Sequence, residues 1–279
     1  MNADKPTHLD LFSGIGGFSL AFEREGFRTI GFAEIDPYAS AVLRKHWPHV
    51  PNLGDARKLC RRVYDCQPGR DDGEVDCPLC GCDFGECDCI GTDHFIDEHG
   101  IPDVITGGDP CQSNSNACRA ADAREASLGW EYIRIIRELQ PRFVLRENPA
   151  VVRRDAPWPW QRFCLHLEAL GYYTLPVKAA ACCFGADHRR DRLFVLAAIQ
   201  DADKERLQGF EREILAGAAG RRYYPDATRS NRWSATPRIC RGIDGIPNRM
   251  DRLACLGNAI VPQVAQIFAR FIYQIIATK

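Results

Sequence analysis

Short apolar runs alternate with stretches of helical spacing along most of the chain, and this alternation restricts the fold more than any other feature. Leu9–Phe12 reads as a buried strand, Ser13–Gly17 as a glycine-rich turn, and Phe18–Glu25 as a helix closed by Gly26. Thr29–Ala33 is a second strand, and Pro37 suits the first position of a helix reaching about Trp47. Strands follow at Asp103–Thr106, at Phe143–Leu145 (stopping at Glu147–Asn148–Pro149) and at Arg192–Ile199. Helical spacing recurs at Trp130–Leu139, Gln161–Leu170 and Val264–Ile276. The pattern predicts an α/β fold with a doubly wound, mostly parallel sheet, whose ligands lie beyond the carboxyl ends of the strands.

Two segments break the alternation. Residues 60–100 are polar and Cys-rich and read as an insert; residues 200–252 are punctuated by Arg, Gly and Pro and read as a small irregular lobe. The expected organisation is a main domain of 1–199 plus 253–279, with 200–252 set apart. No apolar run approaches the ~18 residues of a membrane helix, and the first ten residues lack the apolar stretch of a secretory signal. A cytoplasmic protein away from membranes is expected. The 14 cysteines should then be thiols rather than disulfides. Cys164, Cys182, Cys183, Cys240 and Cys255 read as small buried apolar side chains. The net charge is −1, but residues 221–252 hold eight arginines and three aspartates, a local charge of +5 suited to nucleic acid.

Several expected strand ends carry reactive residue types. Asp10–Gly17 joins a strand to a helix, as a nucleoside-binding loop does, and Glu34 ends the next strand, where a carboxylate can meet ribose hydroxyls. A dinucleotide fingerprint beginning at Gly14 would need a third glycine where Ser19 stands, which argues against a dehydrogenase. Asp55 is either an acceptor for an adenine amino group or a turn aspartate. Cys111, on the loop Gly107–Gln112, is placed for attack, the alternative being a packing cysteine. Glu147 brings a carboxyl group to the same edge, and the run His188–Arg192 brings guanidinium groups. A nucleophile, an acid and cations together suit attack on a ring that must be activated by protonation. Cys77, Cys80, Cys87 and Cys89 could form a closed structural zinc site or remain free thiols.

Taken in order, DLFSGIGG (Asp10–Gly17), EID (Glu34–Asp36), GGDPCQ (Gly107–Gln112), EN (Glu147–Asn148), RRDRLF (Arg189–Phe194) and GNAIVPQ (Gly257–Gln263) resemble the motifs of bacterial and phage DNA cytosine-5 methyltransferases. The resemblance implies a Rossmann-like methyltransferase, of the kind found in restriction-modification systems, that moves a methyl group from S-adenosylmethionine to carbon 5 of a flipped-out cytosine in double-stranded DNA. By position it makes Cys111 the nucleophile and Glu147 the donor to ring N3, with Arg190 and Arg192 near the thiolate and the cytosine carbonyl. It places Phe12, Gly14, Gly16, Glu34, Ile35, Asp55, Pro110 and Asn258 around the cofactor, makes 200–252 the target-recognition region, and implies a monomer. The chain departs from the usual motif at Pro149, where Val is common, at His188, often Gln, and at Asp109, often Phe or Pro. The alternatives are the same chemistry on RNA and a nucleic-acid-binding module without activity.

Overall fold

The computed structural model describes residues 5–60, 90–110, 128–150, 160–184, 190–215 and 255–278 of the 279. Strand β1 (Thr7–Leu11) leads through the glycine loop into helix α1 (Gly17–Arg24), then β2 (Arg28–Ala33) and α2 (Pro37–His46). Two short strands, β3 (Leu59–Cys60) and β4 (Ile90–Gly91), pair beside α3 (Thr92–His99). There follow β5 (Val104–Gly107), α4 (Gly129–Leu139), β6 (Phe143–Pro149), α5 (Trp160–Ala169), β7 (Tyr173–Ala180), β8 (Asp191–Ala198), α6 (Asp201–Leu215) and α7 (Pro262–Ala277).

Local chemistry explains several boundaries. Asp36 caps α2 by accepting from the Ala39 amide at 2.7 Å, and Pro37 occupies the first turn, where no amide partner is needed. Pro262 does the same for α7. Helix α4 ends at Gln140, which takes a left-handed conformation (φ 45°).

Six strands form the main sheet, in the order β2-β1-β5-β6-β8-β7. Its β2–β1–β5–β6 part is parallel, and β8 runs antiparallel to both of its neighbours. The expected mostly parallel sheet is thus present. Helices α1, α6 and α7 cover one face, packing Phe18, Phe22, Phe210, Phe268 and Ile272 against Val104, Leu145 and Leu196. Helices α3, α4 and α5 cover the other, with Phe95, Ile136 and Phe163 against Leu9, Ile105 and Val144. Each fully buried Phe or Ile contributes about 1.5–3 kcal/mol, so both layers are needed to stabilise the sheet.

Two expectations about chain organisation change. Strand β6 does not stop before Glu147 but continues to Pro149, because β8 pairs with all seven of its residues, from Phe143↔Ala198 to Pro149↔Arg192. The irregular lobe cannot begin at 200, because α6 belongs to the main body. Leu207 and Phe210 are core residues, and Asp203 is bonded through both oxygens to Arg142, each at 2.9 Å. The Arg-rich stretch 221–252 lies outside the described residues.

Candidate active site

One cavity of about 330 Å³ opens at the carboxyl ends of β1, β2, β5 and β6, within the size range of small-molecule sites. Of the residues expected at the site, Phe12, Gly14, Glu34, Ile35, Asp55, Pro110, Glu147, Arg192 and Asn258 all line it. They come from seven separate stretches of chain, so the fold gathers residues from both the expected cofactor motifs and the expected catalytic motifs around one space.

At one end, the glycine loop is organised by Glu34. Its Oε2 accepts from the Gly14 amide and its Oε1 from the Asp36 amide, both at 2.7 Å. The carboxylate is fixed while its remaining lone pairs stay open to hydroxyl donors. The Gly14 and Gly16 amides are used inside the protein, Gly16 donating to Ser13 O at 2.9 Å. Neither is free to cradle a diphosphate, which agrees with the incomplete dinucleotide fingerprint. Phe12 has φ 53° and Gly14 also φ 53°, the tight left-handed course that brings the loop under the cavity. Ile35 is 64% exposed although apolar, and it lines the cavity together with Phe12, as a surface for a flat ring would. Asp55 accepts from Arg57 Nη2 at 2.7 Å, and this bonding holds its carboxyl below the usual range.

Gly16 stands apart from the other expected cofactor residues. It does not line the cavity. It is the left-handed cap of α1, and a Cβ there would lie 2.6 Å from the Trp47 ring. Next to it, a Cβ on Gly17 would collide with Ile260. The loop glycines therefore serve packing as well as ligand approach, and they dock the C-terminal segment 255–261 over the cofactor end.

Glu147 lines the same cavity. Burial raises its carboxyl from the ordinary 4.5 to about 7, against the opposing pull of Arg192 and Arg190 and with a further push from Asp109. Arg192 Nε is 2.6 Å from Glu147 Oε1, an ion-pair contact whose N–H is poorly aimed, so Oε1 is buried without a hydrogen-bond donor. Oε2 lies over Gly108, where a Cβ would approach to 3.1 Å. Arg190 does not line the cavity. It has φ 35° and donates from Nη2 to Ala259 O at 2.6 Å, tying the start of β8 to the C-terminal segment.

Sequence reasoning missed a buried cluster behind Glu147. Asp109 accepts from Arg146 Nε at 2.5 Å and Nη2 at 2.7 Å, and from Asn148 Nδ2 at 2.9 Å. The Arg146 guanidinium also stacks over Phe163, 4.4 Å from the ring centroid. The only available signal was that Asp109 replaces an apolar residue within a familiar motif. A second missed network lies under α1, where Asp10 accepts from Ser19 at 2.7 Å and Thr106 at 3.1 Å, and His8 bonds Thr106 at 2.8 Å.

Cys111, Arg189 and His188 lie outside the described residues, although Pro110, the neighbour of Cys111, lines the cavity. Cys77, Cys80, Cys87 and Cys89 also lie outside them. Among the described residues, no group of three or more His, Cys, Asp or Glu is placed to hold a metal. Of the cysteines expected to be buried, Cys164 is, but Cys182 and Cys183 are exposed and Cys255 is half-buried at the cavity wall. No described helix is long and apolar enough to cross a membrane.

The model of the C-5 cytosine-specific DNA methylases matches residues 7–68 and 83–233. The chain belongs to that family. Its relatives include the type II methyltransferase M.HgiBI of Herpetosiphon aurantiacus, 30% identical over 212 residues (72% of this chain, 38% of that protein). The type II methyltransferase M1.HphI of Haemophilus parahaemolyticus is 28% identical over 194 residues (67% and 44%). A DNA N-6-adenine-methyltransferase of Escherichia phage P1 is 37% identical, but over only 105 residues (38% and 10%). The chain thus spans less than half the length of these relatives. Among solved structures, one described as a DNA modification methyltransferase encoded within an E. coli prophage shares the fold, at TM-score 0.51 and 24% identity over 70% of this chain and 47% of that one.

Proposed function

We propose that this C-5 methylase family member transfers a methyl group from S-adenosylmethionine to carbon 5 of cytosine in double-stranded DNA, acting as a monomer. The observation that carries the reading is Glu147, a carboxyl that burial pushes up to about 7 and that lines the same cavity as the glycine loop. Such a group is protonated in about half of the molecules at neutral pH and can donate that proton to a base.

The cavity suits the cofactor. Among the described residues, the carboxylates of Glu34, Asp36 and Asp55 line it against the guanidinium of Arg192, which favours a sulfonium cation over a phosphate. Glu34 is oriented for the ribose hydroxyls, Phe12 and Ile35 for the adenine ring, and Asp55 for its amino group. Asn258 and Pro110 close the sides. When bound, S-adenosylmethionine supplies a methyl carbon made electrophilic by its sulfonium sulfur.

The protein's own groups make carbon 5 nucleophilic. The Cys111 thiolate adds to carbon 6, the 5,6 double-bond electrons shift toward carbon 4, and ring N3 takes the Glu147 proton. The new Glu147 carboxylate is stabilised by Arg192, already in contact with it. Carbon 5 then takes the methyl group, whose bond to the sulfonium sulfur breaks to leave a neutral thioether; a base removes the proton from carbon 5, the bond from carbon 6 to Cys111 Sγ breaks to release the thiolate, and N3 returns its proton to Glu147. A stacked base is out of reach of these groups, so the cytosine must be flipped out of the duplex. The +5 stretch 221–252 is the proposed DNA contact, its arginines neutralising phosphates and reading guanine. Target recognition is assigned to 216–252, since α6 is part of the main body. For Cys77, Cys80, Cys87 and Cys89 the proposal is a closed structural zinc site, which metal analysis of the purified chain tests.

Digestion of treated duplex DNA to nucleosides, followed by mass spectrometry, tests the reaction. The reading predicts 5-methylcytosine. N6-methyladenine, the product named for the phage P1 relative, would overturn it, as would methylation of RNA but not DNA.

A further inference from the structure

Strand β5 ends at Gly107, paired with Arg146, while β6 runs on to Pro149. Beyond that point no β5 backbone lies alongside β6. The Asp109 side chain takes its place. It is wholly buried and accepts from Arg146 and Asn148, which share one face of β6. Between them Glu147 points to the other face, where Gly108 leaves it room. The dipeptide Gly108–Asp109 therefore grips both faces of the strand that carries the acid. Two residues later comes the nucleophile.

We propose that Asp109 is a positioning residue that fixes Pro110, the residue before Cys111, against the Glu147 strand through Arg146 and Asn148. The inference rests on the proposed cytosine chemistry, since only that chemistry requires the thiol and the acid to reach opposite parts of one ring. An apolar residue at 109 would leave the Arg146 guanidinium, already lacking a partner at Nη1, without its counter-charge. Arg146 and Asp109 thus belong together in this chain. Among the described residues, the charged groups around Glu147 besides Asp109 are Arg192 and Arg190 at the start of β8 and Arg146 on its own strand.

The test is Asp109→Asn, which keeps the shape but removes the charge and turns an amide N–H toward Arg146. Misplacement of reacting groups by about 1 Å costs about 100-fold, and a loss of that size in kcat is expected with cofactor affinity unchanged. The Glu147 titration, followed by NMR of labelled carboxyl carbon, should move to lower pH, because an anion is lost and a cation is uncovered. The double variant Asp109→Leu/Arg146→Met removes both charges and should recover thermal stability without recovering kcat. Recovery of kcat in the double variant would reduce the pair to a structural role and overturn the inference. So would wild-type kcat and an unmoved Glu147 titration in Asp109→Asn. The titration is read without turnover. If the unchanged protein makes no 5-methylcytosine, the proposed function fails while the NMR arm still decides whether Asp109 is coupled to Glu147.

Discussion

Glu147 and Asp10 are both buried carboxyl groups raised to about 7 by desolvation, yet their surroundings give them different tasks. Asp10 is bonded by Ser19 and Thr106 and does not line the cavity, so its proton serves stability. Glu147 lines the cavity, so its proton can pass to a base bound there. For Glu147 the acid form is lost as pH rises through about 7. The rate limb that depends on it should fall above that pH, and Glu147→Gln should abolish this limb while lowering kcat by about 10²–10⁴-fold, as read from a pH–rate profile. For Asp10 the folded value exceeds the unfolded one, so the folded state holds an extra proton between about pH 4 and 7 and loses stability as pH rises through that window. His8 acts in the opposite sense. Its folded value is about 3, so its contribution is lost as pH falls below the ordinary 6.5. The stability of Asp10→Asn relative to the unchanged protein should therefore rise by about 2 kcal/mol from pH 5 to pH 7 in denaturant titrations. The reactive residue types at 111 and 147 were legible because motif spacing exposes them. The partners of Asp109 were not, because 37 and 39 residues separate it from Arg146 and Asn148, and only the sheet brings them together.

Most elements could be read from the chain because buried parallel strands are continuous apolar runs and the helices between them keep a clear period. The exceptions have physical causes. Strand β7 contains Pro176, which argues against a strand, but β7 is the sheet edge, where a missing amide is tolerated. Helix α6 is mostly charged, and Asp203, Leu207 and Phe210 along one side tie it to the core. Strand β6 outran its apolar segment because β8 supplies a full ladder of partners to Arg146–Pro149. At the start of α1, Gly17 packs directly on Ile260, so the C-terminal segment can close the cofactor end only if residue 17 has no side chain. Gly17→Ala should cost about 1–3 kcal/mol in thermal unfolding. It should also weaken S-adenosylmethionine binding measured by calorimetry, while Glu147 keeps its titration. Unchanged affinity would mean that the segment 255–261 does not shape the cofactor end.

Over the whole molecule, residues far apart in sequence are made neighbours by two packed layers on one sheet. Glu34 follows β2, Pro110 follows β5, Glu147 lies near the end of β6, Arg192 near the start of β8, and Asn258 precedes α7. Because β8 runs antiparallel to β6, its beginning meets the end of β6, and this reversal delivers Arg192 to Glu147. The motif order in the sequence was enough to expect this gathering, whereas the depth at which Glu147 is buried, and hence its proton, required the packed layers. At the centre of the proposed mechanism, Cys111 attacks the cytosine ring. Long duplex DNA carrying 5-fluorocytosine in place of cytosine tests it most directly, since fluorine cannot leave carbon 5 as a proton does and the thiol adduct cannot resolve. Incubated with S-adenosylmethionine, the protein should form a denaturant-stable complex with this DNA, mapped by peptide mass spectrometry to Cys111 and absent in Cys111→Ser. Methylation of ordinary DNA without any trapped complex, or trapping that persists in Cys111→Ser, would contradict it.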